Sequence, residues 1–145
     1  MPATEPERFT LDIPVAPADI DANGHVNNVV YVRWVQDAAT AHWLARTSAA
    51  EQAAITWVVV RHEIDYRRAA LPGDRIRATT WVGPASRHTY ERNTELRRDA
   101  DGAVLAQART LWCPLDPATG RPCRLEPGLR ARFSTPGVAS EDTGP

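Results

Sequence analysis

At 145 residues, with a formal net charge of -1, the chain is long enough for one domain with a buried core that needs neither metal nor disulfide. The near-zero charge excludes a global basic field for nucleic acid, and no apolar run approaches the ~18 to 20 residues of a membrane span. Cys113 and Cys123 have neither metal-ligand spacing nor the density of a secreted scaffold, so they read as reduced thiols, and with no signal peptide in view the expected location is the cytoplasm. All 17 basic residues are arginine. That reads as coding bias, although guanidinium also pairs well with phosphate.

Residues 1–7 are polar and read as a disordered segment. Phe9, Leu11, Ile13 and Val15 alternate with polar residues, the pattern of a half-buried strand, and Pro14 and Pro17 confine it to an edge. Asp19 to Asn28 is a turn built on Asn23-Gly24. Asn27 or Asn28 then caps a helix that runs to about Arg46, with Val30, Trp34, Ala38, Ala41 and Leu44 or Ala45 on one face. Thr47 to Gln52 reads as either a loop or a short helical turn. Trp57-Val58-Val59-Val60 opens a strand that continues to Tyr66 and reads as covered on both faces. Leu71-Pro72-Gly73-Asp74 turns the chain into a strand from Arg75 to Val82, which Gly83-Pro84 breaks. Strands from about Arg87 to Arg98 and from Val104 to Leu115 flank the hairpin turn at Asp101-Gly102. Glu126 to Phe133 is a candidate short helix with Pro127 in its first turn, and 134–145 reads as a disordered tail. The expected domain is therefore 8–133, an α+β fold with a long helix against an antiparallel sheet.

The turn before the helix carries the chemistry. A helix N-terminus presents free N–H donors and the positive end of a dipole, so it can stabilise an oxyanion on a carbonyl. Asp21 stands just upstream, where a carboxylate can deprotonate water or attack a carbonyl itself. It reads equally as the acceptor of an Asx-turn. Asn23 and His25 are placed to orient the water or the carboxylate, and the N–H groups around Asn28 and Val29 are the candidate oxyanion donors. Tyr31 and Trp34 read as core or pocket wall. The four histidines show no zinc spacing, so no metal site is expected, and neither a Gly-rich phosphate loop nor a Gly-x-Ser-x-Gly elbow is present.

The run Asp21-Ala22-Asn23-Gly24-His25-Val26-Asn27-Asn28, followed by Tyr31, resembles the hotdog-fold thioesterases of the hydroxybenzoyl-CoA thioesterase group. It is similar as well to the plant acyl-ACP thioesterases, which share an Asp-x-Asn-x-His-Val-Asn-Asn run. The second anchor is Glu63-Ile64-Asp65-Tyr66-Arg67-Arg68 with Pro72-Gly73-Asp74. The resemblance implies a hotdog fold, a five-stranded antiparallel sheet wrapped around one long helix. It implies homodimers or tetramers of dimers, with sites built across the interface. It also implies hydrolysis of acyl-CoA to free acid and coenzyme A, with no cofactor beyond the coenzyme A of the substrate. Asp21 aligns with the carboxylate that serves as base or nucleophile, with Asn23 and His25 as positioning residues. Arg67 and Arg68, together with Arg61 and Arg87, are candidate contacts for coenzyme A phosphates. The plant enzymes carry a glutamate after the Tyr-Arg-Arg block, where this chain has Ala69. An acyl-ACP thioesterase, a hotdog hydratase or dehydratase, and a non-catalytic acyl-CoA binding module are the alternatives.

Overall fold

The computed structural model describes residues 4–136. Its elements in chain order are β1 (Thr4–Pro6), β2 (Phe9–Pro14), α1 (Asn28–Arg46), α2 (Ala49–Ala53), β3 (Thr56–Tyr66), β4 (Arg75–Ala85), β5 (Tyr90–Arg98), β6 (Val104–Leu115), α3 (Pro127–Ala131) and β7 (Ser134–Pro136). Five strands form one antiparallel sheet in the order β2-β4-β5-β6-β3. The 19-residue α1 packs on this sheet, as the resemblance implies.

Alternation in β4, β5 and β6 directs Ile76, Ala78, Leu96, Ala106 and Ala108 into a core with Tyr31, Trp34, Val35 and Ala38 of α1. Trp34, Ile76, Leu96 and Leu105 are fully buried, and burying a large apolar side chain stabilises by about 1.5 to 3 kcal/mol. The buried stripe of α1 is Tyr31, Trp34, Val35, Ala38, Ala39 and His42. Leu44 and Ala45, the alternatives expected on it, are both exposed, Leu44 by 51%, and a histidine holds the inner position of the last turns instead. Ser48 and Glu51 form a reciprocal cap at the start of α2, so the 47–52 stretch contains a short helix.

Three expectations are corrected. First, β4 continues through Gly83-Pro84 to Ala85, because its register with β5 shifts between Val82 and Ala85. At such an irregularity a proline removes no ladder hydrogen bond. Second, Val58 and Val60 are 37% and 58% exposed. Their strand, β3, lies at the sheet edge, and within one chain α1 covers only one face of the sheet. Third, residues 4–6 are not disordered: they pair with Ser134–Pro136. Glu7 anchors this segment by accepting bonds from Arg46 Nε (2.7 Å) and Nη2 (2.9 Å) and from His42 Nε2 (2.8 Å). The rest of both ends read as disordered, residues 1–3 and 137–145, lies outside the described residues.

Candidate active site

The Asp19–Asn28 stretch is a small hairpin. Ile20 and Val26 form an antiparallel bridge, Asp21 N–H donates to the His25 carbonyl at 2.9 Å, and Gly24 N–H donates to the Asp21 carbonyl at 3.0 Å. Gly24 closes the turn at φ +76°, a conformation that disfavours a side chain. Two anchors fix the hairpin to the body. Val26, 3% exposed, donates its N–H to the Ala70 carbonyl. Asp19, also buried, accepts from Ala16 N–H and Arg33 Nη2, each at 2.9 Å. Burial alone would raise the Asp19 carboxyl pKa, but those two donors outweigh it and hold the group below its ordinary value. Asp19 therefore acts as a fastener for the loop.

Asp21 is half-buried, and one of its carboxylate oxygens accepts the Asn23 N–H at 2.9 Å. This is the Asx-turn geometry, and it leaves the second oxygen without a bond among the described residues. The side chains of Asn23 and His25 are exposed and make no hydrogen bond to Asp21. Asn27 is the N-cap of α1, its Oδ1 accepting from Val29 N–H at 2.9 Å. That bond corrects one expectation: the Val29 donor is already taken, and the Val29 side chain is 73% exposed. Asn28 N–H has no acceptor among the described residues, so the tip retains a free donor there.

Opposite the hairpin, the chain leaving β3 supplies the second wall. Tyr31 is 2% exposed; its hydroxyl donates to the Arg68 carbonyl at 3.0 Å and accepts from Ala70 N–H at 2.7 Å. Burial raises the Tyr31 pKa, so the phenol stays neutral and acts as a brace. Tyr66 donates to the Asn28 carbonyl at 3.2 Å, and its ring meets Tyr31 edge-on at 5.3 Å. Together these residues enclose an open cavity of about 480 Å³ lined by Asp21, Asn23, His25, Asn28, Tyr31, Arg67, Arg68 and Ala69, among others. All the predicted site residues except Val29 meet there. Among the described residues Asp21 is its only carboxylate; Ala69 brings none. Arg67 Nη2 donates to Gln107 Oε1 at 3.2 Å, and Arg68 makes no ion pair among the described residues. Arg61 is paired with Glu63 at 2.6 Å, and Arg87 lies in a separate cavity. Among the described residues no group of three or more His, Cys, Asp or Glu side chains converges to hold a metal, and no helix is long and apolar enough to cross a membrane.

Residues 15–133 match a family model described as the thioesterase-like superfamily. A 76-residue stretch is 26% identical to a chloroplastic acyl-[acyl-carrier-protein] hydrolase, FATB3 of Cuphea viscosissima; it covers 52% of this chain but only 18% of the plant protein. The fold is similar to that of the probable thioesterase YbaW of Escherichia coli, at TM-score 0.72 and 26% identity over 86% of this chain and 95% of that one. A Thermus thermophilus thioesterase solved with coenzyme A and zinc is similar at TM-score 0.75 and 25% identity, over 86% and 90% of the two chains. A 1,4-dihydroxy-2-naphthoyl-CoA thioesterase from Synechocystis superposes at TM-score 0.76 with 21% identity, over 88% and 96%.

Proposed function

This chain belongs to the thioesterase-like superfamily, and on that premise we propose that it is an acyl-CoA thioesterase with Asp21 as its catalytic carboxylate. The observation that carries the reading is that Asp21 is the one acid, among the described residues, in a cavity at the N-terminus of a long helix. The thioester carbonyl would sit against the free Asn28 N–H, with the α1 dipole favouring the oxyanion. Asp21 takes a proton from water as the water oxygen bonds to the carbonyl carbon. Collapse of the adduct breaks the C–S bond, and the departing sulfur leaves as coenzyme A thiol by taking the proton that Asp21 accepted, which restores the carboxylate. Direct attack by Asp21, giving a mixed anhydride that water then opens, is the other course for the same atoms. Asn23 and His25 position water at the rim, and Arg67 and Arg68 receive the phosphates of coenzyme A. No metal or further cofactor enters the scheme. A thermophile relative solved with coenzyme A supports this choice of carrier. The plant match favours a carrier-protein thioester as the second reading.

The functional unit in this reading is a homodimer or a tetramer of dimers in the cytoplasm. An 11-residue edge strand carrying exposed Val58 and Val60 supports self-association. The test is thiol release from a panel of short, long, branched and aromatic acyl-CoAs, and from acyl-ACP, with Asp21→Asn in parallel. Loss of a general base costs about 10²- to 10⁴-fold. A folded Asp21→Asn protein as active as the parent would sink the mechanism. Hydration of enoyl-CoA without hydrolysis, or binding without turnover, would sink the thioesterase reading.

A further inference from the structure

A second cavity, of about 580 Å³, opens between the C-terminal half of α1 and strands β3 to β6, well within the range of small-molecule sites. Its walls are aromatic: Trp43, Trp57, Tyr90, Trp112 and Phe133 line it. The rings interlock, with Trp57 edge-on to Trp43 at 5.4 Å and to Tyr90 at 5.7 Å. On α1 it starts at Gln36, eight residues beyond Asn28, which is about 12 Å of helix from the tip. It is therefore separate from the Asp21 cavity.

Arg92 also lines it, and Arg92 is anomalous. The residue is only 8% exposed, yet no carboxylate among the described residues lies within ion-pair distance of its guanidinium. One nitrogen, Nη1, donates to His42 Nδ1 (2.9 Å) and Thr80 Oγ1 (3.2 Å); Nε and Nη2 make no bond among the described residues. Because Nδ1 of His42 accepts, its Nε2 is the donor to Glu7, and the ring is neutral. Burial lowers the histidine pKa, in the same direction. Glu7 therefore reaches Arg92 only through an uncharged imidazole and is itself clasped twice by Arg46. One carboxylate and two guanidiniums leave this cluster with an excess positive charge. Burial pushes the Arg92 pKa down to about 10, which still leaves it charged at neutral pH. The acid in the lining, Glu91, is engaged by Arg109 at 2.7 Å and Asn93 at 3.3 Å. Buried charges and polar groups in proteins ordinarily have partners. In the lining with Arg92, the indole N–H groups of Trp57 and Trp112 are buried without a partner among the described residues. The adjoining vestibule adds Arg87, Arg124 and Arg130, none in an ion pair among the described residues, so the approach is basic as well.

We propose that this cavity binds an apolar carboxylate, its anion seated on the Arg92 guanidinium and its hydrocarbon body held among Trp43, Trp57 and Trp112. The carboxylate belongs to a free acid: Arg92 sits on His42, about 21 Å of helix beyond the Asn28 tip, farther than a C8 acyl chain held there extends. The free-acid site does not depend on the thioesterase reading. Three of the five tryptophans line the cavity, so their fluorescence reports occupancy directly. Titration of the full chain with octanoate and with the isosteric octanamide should give octanoate the tighter binding by about tenfold or more, the scale of one charge-assisted hydrogen bond. Arg92→Gln should abolish that difference, and Trp112→Phe should weaken octanoate while keeping the ring. Asp21→Asn should leave octanoate binding unchanged, which separates this site from the helix tip. Equal affinity for octanoate and octanamide in the parent protein overturns the proposal without recourse to any variant. So does a preference for octanoate over octanamide that survives in a folded Arg92→Gln protein, or octanoate binding that weakens in Asp21→Asn.

Discussion

Replacing Tyr31 by phenylalanine removes one oxygen atom that joins α1 to the segment forming the far wall of the candidate active site. That oxygen donates to the Arg68 carbonyl and accepts the Ala70 N–H at 2.7 Å. The two losses differ in kind. Arg68 is exposed, so water can replace the donor to its carbonyl. Ala70 is fully buried, and its N–H would lose its acceptor where water does not reach. An orphaned buried group costs about 1 to 3 kcal/mol, and the replaced bond a few tenths more, so the variant should lose about 1.5 to 3 kcal/mol. For a chain of this length that is roughly 5 to 10 °C in Tm. Urea denaturation of the parent and Tyr31→Phe proteins, with the m-value shared, gives the difference directly. Tyr66→Phe is the internal control, since its hydroxyl bond to Asn28 is at the surface; its loss should stay under about 0.5 kcal/mol. A Tyr31→Phe protein within that same margin of the parent would refute the bracing role. The acyl-CoA assay should show a larger fall in kcat/KM for Tyr31→Phe than for Tyr66→Phe, because the 67–70 wall loosens.

Asn27→Ala deletes the cap on Val29 N–H and should cost about 1 kcal/mol in urea melts, with Asn27→Asp close to neutral. Gly24→Ala meets no atom within 4 Å of the new Cβ, so any loss comes from φ +76° alone and should be about 1 to 2 kcal/mol; no loss would show that the turn relaxes. The Glu7 carboxyl is held down to about 2 by Arg46 first and by His42, against a burial effect that raises it. A depressed carboxyl stabilises the fold fully above its unfolded pKa near 4.5, and the contribution drains away as pH falls from there toward 2. With partial exposure discounted this is about 1 to 2 kcal/mol, and Glu7→Gln should flatten that limb of the stability-against-pH curve. Val60→Lys on the β3 edge should shift the protein to monomer in light scattering; an unchanged mass would remove β3 from the interface.

Local rules made much of this molecule readable as letters. Alternation located Phe9–Pro14 and Val104–Leu115, since a half-buried strand must alternate. Asn27 ahead of an apolar run at helical spacing marked the start of α1, because caps are satisfied within a turn. Asp21, Asn23, His25 and Asn28 stand together because eight consecutive residues hold them on one hairpin and one helix tip, and the Tyr66-Arg67-Arg68 block was linked to them only by resemblance. What periodicity could not carry was any contact between distant positions. His42 reads as an isolated histidine until Glu7 and Arg92, 35 and 50 residues away, close on its two nitrogens. The exposure of Val58 and Val60 follows from α1 packing on one face of the sheet, although their apolar run reads as covered on both faces. The Val29 N–H was a candidate donor on spacing and proved occupied, because which of two asparagines caps depends on the entry angle of the chain. The sequence by itself determined the long helix, its tip with Asp21 beside it, and the main strands, since each depends on neighbours within a few residues. Only the tertiary structure decided that Arg92 sits buried in an aromatic cavity with no carboxylate partner among the described residues, because burial and charge pairing belong to the packed chain and not to any stretch of it.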